Sequence, residues 1–176
     1  MIKKIMEYVI YFQQTILDGT IMAEMSQKEI KRFLMQGTFT GKLATVKKDG
    51  SSHIAPIWFV LDGTNKKRSR NGRHEDIIFT TSGSSVKAKN IERDNRVSIC
   101  VDDQTAPFSF VVVYGTAKIH HYRQNELFKF ATRIARRYMG KDNAENYGRR
   151  NSAEGEVLVR IKAKRIIAEK DIAGWD

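Results

Sequence analysis

Six segments of this chain read as β-strands, and two of the five gaps between them are too short to hold a crossover helix. The segments are LATVKK (residues 43–48), HIAPIWFVLD (53–62), DIIFTT (76–81), RVSICVDD (96–103), FSFVVVYGTAKIH (108–120) and EVLVRIKAKRIIAEK (156–170). Their β-branched and aromatic content favours extended backbone. The last alternates as a strand should, with Val157, Val159 and Ile161 on one side. A parallel sheet needs a long connection, usually a helix, after nearly every strand. Here Asp49-Gly50 is a hairpin signal between the first two segments, and residues 104–107 alone separate the fourth from the fifth. The order predicts a mainly β (α+β) fold: a small, six-stranded antiparallel barrel with flanking helices.

Three details sharpen that expectation. The centre of the second strand, IAPIWFV, is continuously apolar, which predicts cover on both faces. Pro56 within it has no N–H to give a ladder, so it implies an edge or a bulge. Gly115 in the fifth strand implies a bend or a close approach of backbone. Helices fall between and around the strands. Ser26 and Glu29 form a capping box for a helix to Leu34, with Ile30, Phe33 and Leu34 on one face. SSVKAKNIERD (84–94) predicts a short helix capped by Ser84 or Ser85. From Asn125 to Tyr138, Leu127, Ala131, Ile134, Ala135 and Tyr138 make an apolar stripe, with Lys129, Arg133, Arg136 and Arg137 mostly outside it. A further helical piece spans Ala144 to Arg150.

The chain has 176 residues, suited to one domain. Its net charge of +11 points to an anionic ligand or partner, or confers solubility only. A basic cluster lies in TNKKRSRNGRHED, Thr64 to Asp76, a polar stretch without periodicity between two strands. It reads as a long hairpin loop that grips nucleic acid, reaches over a bound anion, or is simply a solvated tip. No aromatics are interleaved with its cations, so nucleic acid is not the expected partner. The single cysteine, Cys100, permits no intrachain disulfide and fits a reducing cytoplasm; in VSICV it reads as a small buried hydrophobe rather than a nucleophile. No apolar run approaches the length of a membrane span. Glu7 interrupts the apolar N-terminus, which is therefore not read as a signal peptide. The capping box after Met25 also allows a second reading, in which residues 1–24 are an extension outside the native protein and 25–176 form the domain.

Candidate chemistry concentrates in TTSGSSVKAKN, Thr80 to Asn90. Hydroxyl residues and Gly83 lead from a strand into a helix start, where free N–H groups and the positive end of the helix dipole face outward. Lys87 in the first turn opposes that dipole, a local conflict that a bound phosphate resolves. The alternative is an ordinary solvated turn before a helix. Trp58 and Phe59 offer either a surface for a flat ring or plain core. His120 and His121 are adjacent on a strand and point to opposite faces, so they cannot chelate one metal; no metal site is expected. Dinucleotide, P-loop and nucleophile-elbow motifs are all missing from the sequence. A site without its own acid, base or metal borrows its chemistry from a cofactor; the catalytic residues stay unassigned, with Tyr114 as a candidate proton donor.

The runs GKLATVKKDGSSHIAPIWFVLDG, IIFTTSGSSVKAKNIERDNRVSICVDD and FSFVVVYGTAKI, in that order, resemble the pyridoxamine 5′-phosphate oxidase-like superfamily. More narrowly they are similar to its bacterial branch of deazaflavin-dependent enzymes, as are RIARRYMGKDNAENYGRRN and GEVLVRIKAKRI. The similarity covers about Met25 to Ile172. It implies a split β-barrel working as a homodimer, with two equivalent sites at the subunit interface. It implies FMN or the deazaflavin coenzyme F-420, a hydride passed to a small unsaturated substrate, or a non-catalytic carrier of FMN, F-420 or haem on the same fold. By the resemblance Thr81, Ser85 and Lys87 hold the phosphate, Lys89 matches a second basic position, Thr80 lies close to the cofactor through its backbone, and Pro56, Ile57, Trp58 and Phe59 run along the ring. Arg68 and Arg70 of the basic loop are further candidates for the acidic tail of F-420. The sequence departs from the oxidase proper at Ala55, Val60, Val86 and Phe110, where that enzyme carries an arginine, a lysine, an arginine and a glutamine. Those losses argue against pyridoxamine phosphate oxidation and tilt the expectation toward F-420.

Overall fold

The computed structural model describes residues 23–63 and 75–173. The readings of residues 1–22 and of the basic loop at 64–74, including Arg68 and Arg70, fall outside the described residues. The strands are β1 (Ala23–Glu24), β2 (Gly41–Val46), β3 (Ser52–Ile57), β4 (Val60–Asp62), β5 (Asp76–Ser82), β6 (Arg96–Asp103), β7 (Ser109–His120) and β8 (Glu156–Lys170). The helices are α1 (Gln27–Leu34), α2 (Val86–Arg93) and α3 (Gln124–Arg150). All pairings are antiparallel, in the order β3-β2-β6-β7-β8-β5-β4, with β1 beside β8. The path does not close on itself. It is an antiparallel, split-barrel sheet flanked by helices, as the strand spacing and the resemblance predicted.

Among the described residues the count is eight strands, not six. The run HIAPIWFVLD divides because the chain leaves the ladder at Trp58-Phe59; Pro56 itself stays within β3, opposite Lys42, its missing N–H tolerated on an edge strand. The first part of the run, β3, pairs with β2, and its second, β4, pairs with β5, so consecutive strands stand at opposite ends of the sheet. The expectation of cover on both faces is corrected too. Ile54 is 67% exposed and Pro56 is also exposed on the edge strand β3. The eighth strand is β1, whose two residues pair with Lys170 and Glu169 of β8.

Two apolar cores follow from strand alternation. The barrel interior buries Leu43, Phe59, Phe79, Ile99, Val111, Val159 and Ile161 among others. On the outer face, Leu127 and Ile134 of α3 pack over Val60, Ile78 and Leu158. Strand β8 therefore serves both cores, since successive side chains point to opposite faces. At Gly115 the β7–β8 register shifts, and a Cβ there would overlap the carbonyl oxygen of Lys162, so the predicted close approach is present.

Helix α3 has one non-helical residue, Gly140, with φ 78° and ψ 173°. It separates two arms that match the two helical pieces read from the sequence. The second arm returns onto the first at Gly148, where a Cβ would sit 3.0 Å from the Cα of Thr132 and overlap its hydroxyl. Among the described residues, no helix is long and apolar enough to cross a membrane.

Candidate functional site

Strand β5 ends at Ser82 and the chain turns directly into α2. Ser85, not Ser84, is the N-cap: its Oγ accepts from the Ala88 amide at 3.3 Å. The Ser84 hydroxyl instead pairs with the Ser82 hydroxyl at 2.8 Å. Thr81 Oγ1 lies 3.2 Å from Ser85 Oγ, and Lys87 Nζ donates to the same Thr81 oxygen at 3.4 Å. The Gly83 amide donates to the Gly155 carbonyl at 2.8 Å, which packs the turn onto the start of β8. The register Ser82↔Glu156 then sets Glu156 beside the turn.

Facing this corner is an aromatic wall. Trp58 stacks on Tyr138, with centroids 5.1 Å apart and rings 4° from parallel, and meets Tyr147 at 6.1 Å. Tyr138 is fixed in turn: its hydroxyl donates to the Phe39 carbonyl at 2.9 Å and accepts from the Phe59 amide at 3.2 Å. Burial pushes the Tyr138 phenol above its ordinary pKa, so it holds its proton at neutral pH. Arg137 completes the support. Its guanidinium donates to the carbonyls of Leu34 (2.8 Å), Phe59 (2.9 Å) and Gly37 (3.0 Å), and lies over the Phe59 ring at 4.6 Å. The helical wheel had set Arg137 outside the apolar stripe; it is partly buried, because the carbonyls left by the broken strand and by the end of α1 need a donor.

Corner and wall bound one cavity of about 520 Å³. Of the residues singled out in the sequence, Pro56, Ile57, Trp58, Thr80, Thr81 and Lys87 line it. Ser85 stands behind Thr81. Two do not join them. Phe59 is fully buried in the barrel core. Lys89 opens onto a separate hollow with Lys47, Lys48 and Arg93, because residues two apart on a helix do not share a face. Tyr114 is 44% exposed and lies in another hollow with Arg96 and Ser98. Cys100 is half-buried rather than buried, and burial together with Asp102 pushes its thiol pKa up, which does not favour a thiolate. Among the described residues, no group of three His, Cys, Asp or Glu side chains is placed to hold a metal.

The sequence reading missed Tyr147, Arg150, Asn151 and Glu156, which also line the cavity. Tyr147 and Arg150 are neighbours at i, i+3 on the second arm of α3, but nothing in the sequence places that arm over the cavity. Glu156 had no signal, because its place follows from a β5–β8 register set over a long sequence separation. Burial raises the Glu156 carboxyl pKa, while the charges of Lys87 and Arg150 pull it back down. The donor set suits a phosphorylated aromatic ligand: hydroxyls, an ammonium and a guanidinium at one end, Trp58, Ile57 and Pro56 at the other. The volume falls in the range of small-molecule sites, roughly 300–1,000 Å³. A smaller cavity of about 150 Å³ under α1 is lined by Ile30, Leu34, Ile77 and Val113, and the cation at its rim, Lys31, is already paired with Glu75 at 2.7 Å. It offers nothing comparable for a phosphate.

The family profile described as pyridoxamine 5′-phosphate oxidase matches residues 26–169. Among solved structures, the conserved hypothetical protein Rv2991 from Mycobacterium tuberculosis is similar at 26% identity and TM-score 0.69, over 86% of this chain and 90% of that one. An F-420 reductase is similar at 23% identity and TM-score 0.59, over 77% and 94%. HutZ, the heme storage protein from Vibrio cholerae, is similar at 17% identity and TM-score 0.59, over 81% and 93%. The last two likenesses, below a quarter identity, concern the fold alone. No curated protein matches the chain.

Proposed function

This chain belongs to the pyridoxamine 5′-phosphate oxidase family, and from that premise we propose that it is a cytoplasmic oxidoreductase using F-420 or FMN to reduce a small unsaturated substrate. The observation that carries the reading is the convergence of Thr81, Ser85 and Lys87 at one end of the cavity that Trp58 walls at the other. Bound flavin or deazaflavin supplies hydride transfer. The protein's part is to grip, orient and shield. Lys87 and the Thr81 hydroxyl hold the phosphate; Pro56, Ile57 and Trp58 lie along the ring, and the Thr80 backbone passes close to it. Lys89, with Lys47, Lys48 and Arg93 beside it, serves the acidic tail of F-420. The exposed Ile54 and Pro56 on the edge strand β3 support a homodimer in which a second copy covers this side of the site.

The test is titration of the purified protein with FMN and with F-420, followed by turnover with a panel of enones and quinones. Saturable binding with turnover is expected. Binding without turnover would favour a carrier. Failure to bind either compound would end both readings. Sedimentation of the same sample reports the dimer.

A further inference from the structure

Three charged side chains line the cavity among the described residues: Lys87 from α2, Arg150 from the end of α3 and Glu156 from the start of β8. The other polar groups that line the cavity are Thr80, Thr81 and Ser82 from β5, Tyr147 from α3 and Asn151. Lys87 and Arg150 both act electrostatically on Glu156. The corner therefore holds two cations and one carboxylate, a net charge of +1 when Glu156 is ionised. A site built for a phosphate dianion gains nothing from a carboxylate in its lining, because like charges in a half-buried place repel strongly.

We infer that Glu156 is a specificity-determining residue, matching this corner to the single negative charge of a phosphodiester and against the double charge of a phosphomonoester. A phosphomonoester carries close to two charges at neutral pH, its second pKa being about 6; a phosphodiester carries one. Glu156 balances one of the two cations and leaves one for the ligand. This rests on the reading that a cofactor's phosphate occupies the Thr81–Lys87 corner. It narrows that reading: a diester-linked redox cofactor is accepted, and FMN is penalised by Glu156 itself.

The test uses two ligands with the same ring and different phosphate charge, FMN and riboflavin 5′-(methyl phosphate), titrated calorimetrically at pH 8. The wild-type chain is expected to prefer the methyl ester by about tenfold or more. In Glu156→Gln, which keeps shape and removes charge, FMN tightens and the gap falls below about threefold. An unchanged gap in Glu156→Gln, or equal tightening of both ligands, overturns the inference and leaves the cofactor reading intact. Should Glu156→Gln fail to fold, the wild-type ratio decides alone: FMN bound as tightly as its ester refutes the assignment. Lys87→Met separates the two claims. Loss of both ligands supports the phosphate corner, whereas unaltered binding of both shows that the phosphate sits elsewhere, and both claims fall. They fall together also if neither ligand binds the wild-type chain.

Discussion

Replacing Arg137 by methionine tests whether one guanidinium joins α3 to the broken strand. Three hydrogen bonds of 2.8–3.0 Å, to Leu34, Phe59 and Gly37, would be lost, each worth about 1.5–3 kcal/mol when the donor is charged. Two opposing effects reduce that sum. Partial burial already disfavours the charge, as the lowered Arg137 pKa indicates, so its removal relieves desolvation. Methionine also keeps the apolar contact with Phe59 and Tyr138. The net loss is about 3 kcal/mol. For a domain of this size that lowers Tm by roughly 6–12 °C. Arg137→Lys keeps the charge without the planar fork and falls between. Urea denaturation followed by circular dichroism gives the free energies, and the m-value checks that the transition stays two-state. The reasoning fails if Arg137→Met lies within about 0.5 kcal/mol of wild type. A second consequence concerns binding. Because the Phe59 carbonyl fixes the turn that presents Trp58, ligand affinity should fall in the folded variant as well. Tyr138→Phe should couple to Arg137→Met non-additively, since both side chains grip the same turn.

Lys87→Met is expected to weaken FMN or F-420 by about ten- to a hundredfold, the worth of one charge-assisted bond, whereas Lys89→Met should weaken F-420 alone and FMN by less than threefold; equilibrium dialysis of both variants checks this separation. Gly148→Ala drives a methyl group against Thr132 and should cost about 1–3 kcal/mol, read as a shift of the urea midpoint. The raised Glu156 pKa sets the sign of a pH effect: the carboxyl is neutral below it and ionised above, so binding of the non-titrating methyl ester should weaken as pH rises through a value above the ordinary glutamate range, and Glu156→Gln should flatten the curve. Asp62 is fully buried and bonded to Arg160 at 2.7 Å and to Arg133 at 3.3 Å; Arg160 keeps Asp76 at 3.3 Å, so Asp62→Ala weakens the network without stranding the cation and should cost about 1–3 kcal/mol, measured by thermal unfolding.

Local chemistry made most of the fold legible. The capping box at Ser26 and Glu29 is present with both of its hydrogen bonds, β6 spans the predicted Arg96–Asp103, and β8 the predicted Glu156–Lys170. Each of these depends on neighbours within a few residues. The division of HIAPIWFVLD was not legible, because one apolar run satisfies two different strand partners and only the tertiary pairing says where it changes over. The candidate site divides the same way. Thr81, Ser85 and Lys87 are close in sequence and close in space. Glu156 and Arg150 come to them through the β5–β8 register and through the return of α3, neither of which leaves a periodic trace. Arg137 misled the wheel because a long cationic side chain can reach sideways to backbone oxygens.

Gly140 gives the longest helix an elbow. Upstream of it, Leu127, Ala131 and Ile134 are committed to the interior and leave little freedom to vary. Downstream, Tyr147, Arg150 and Asn151 line the cavity on a separate lever held by the tight seat of Gly148 against Thr132, by buried Ala144 and by the contact of Tyr147 with Trp58. A designer, or natural variation, can thus exchange the side chains overhanging the cavity as one cassette, reshaping it while the barrel beneath goes on folding as before.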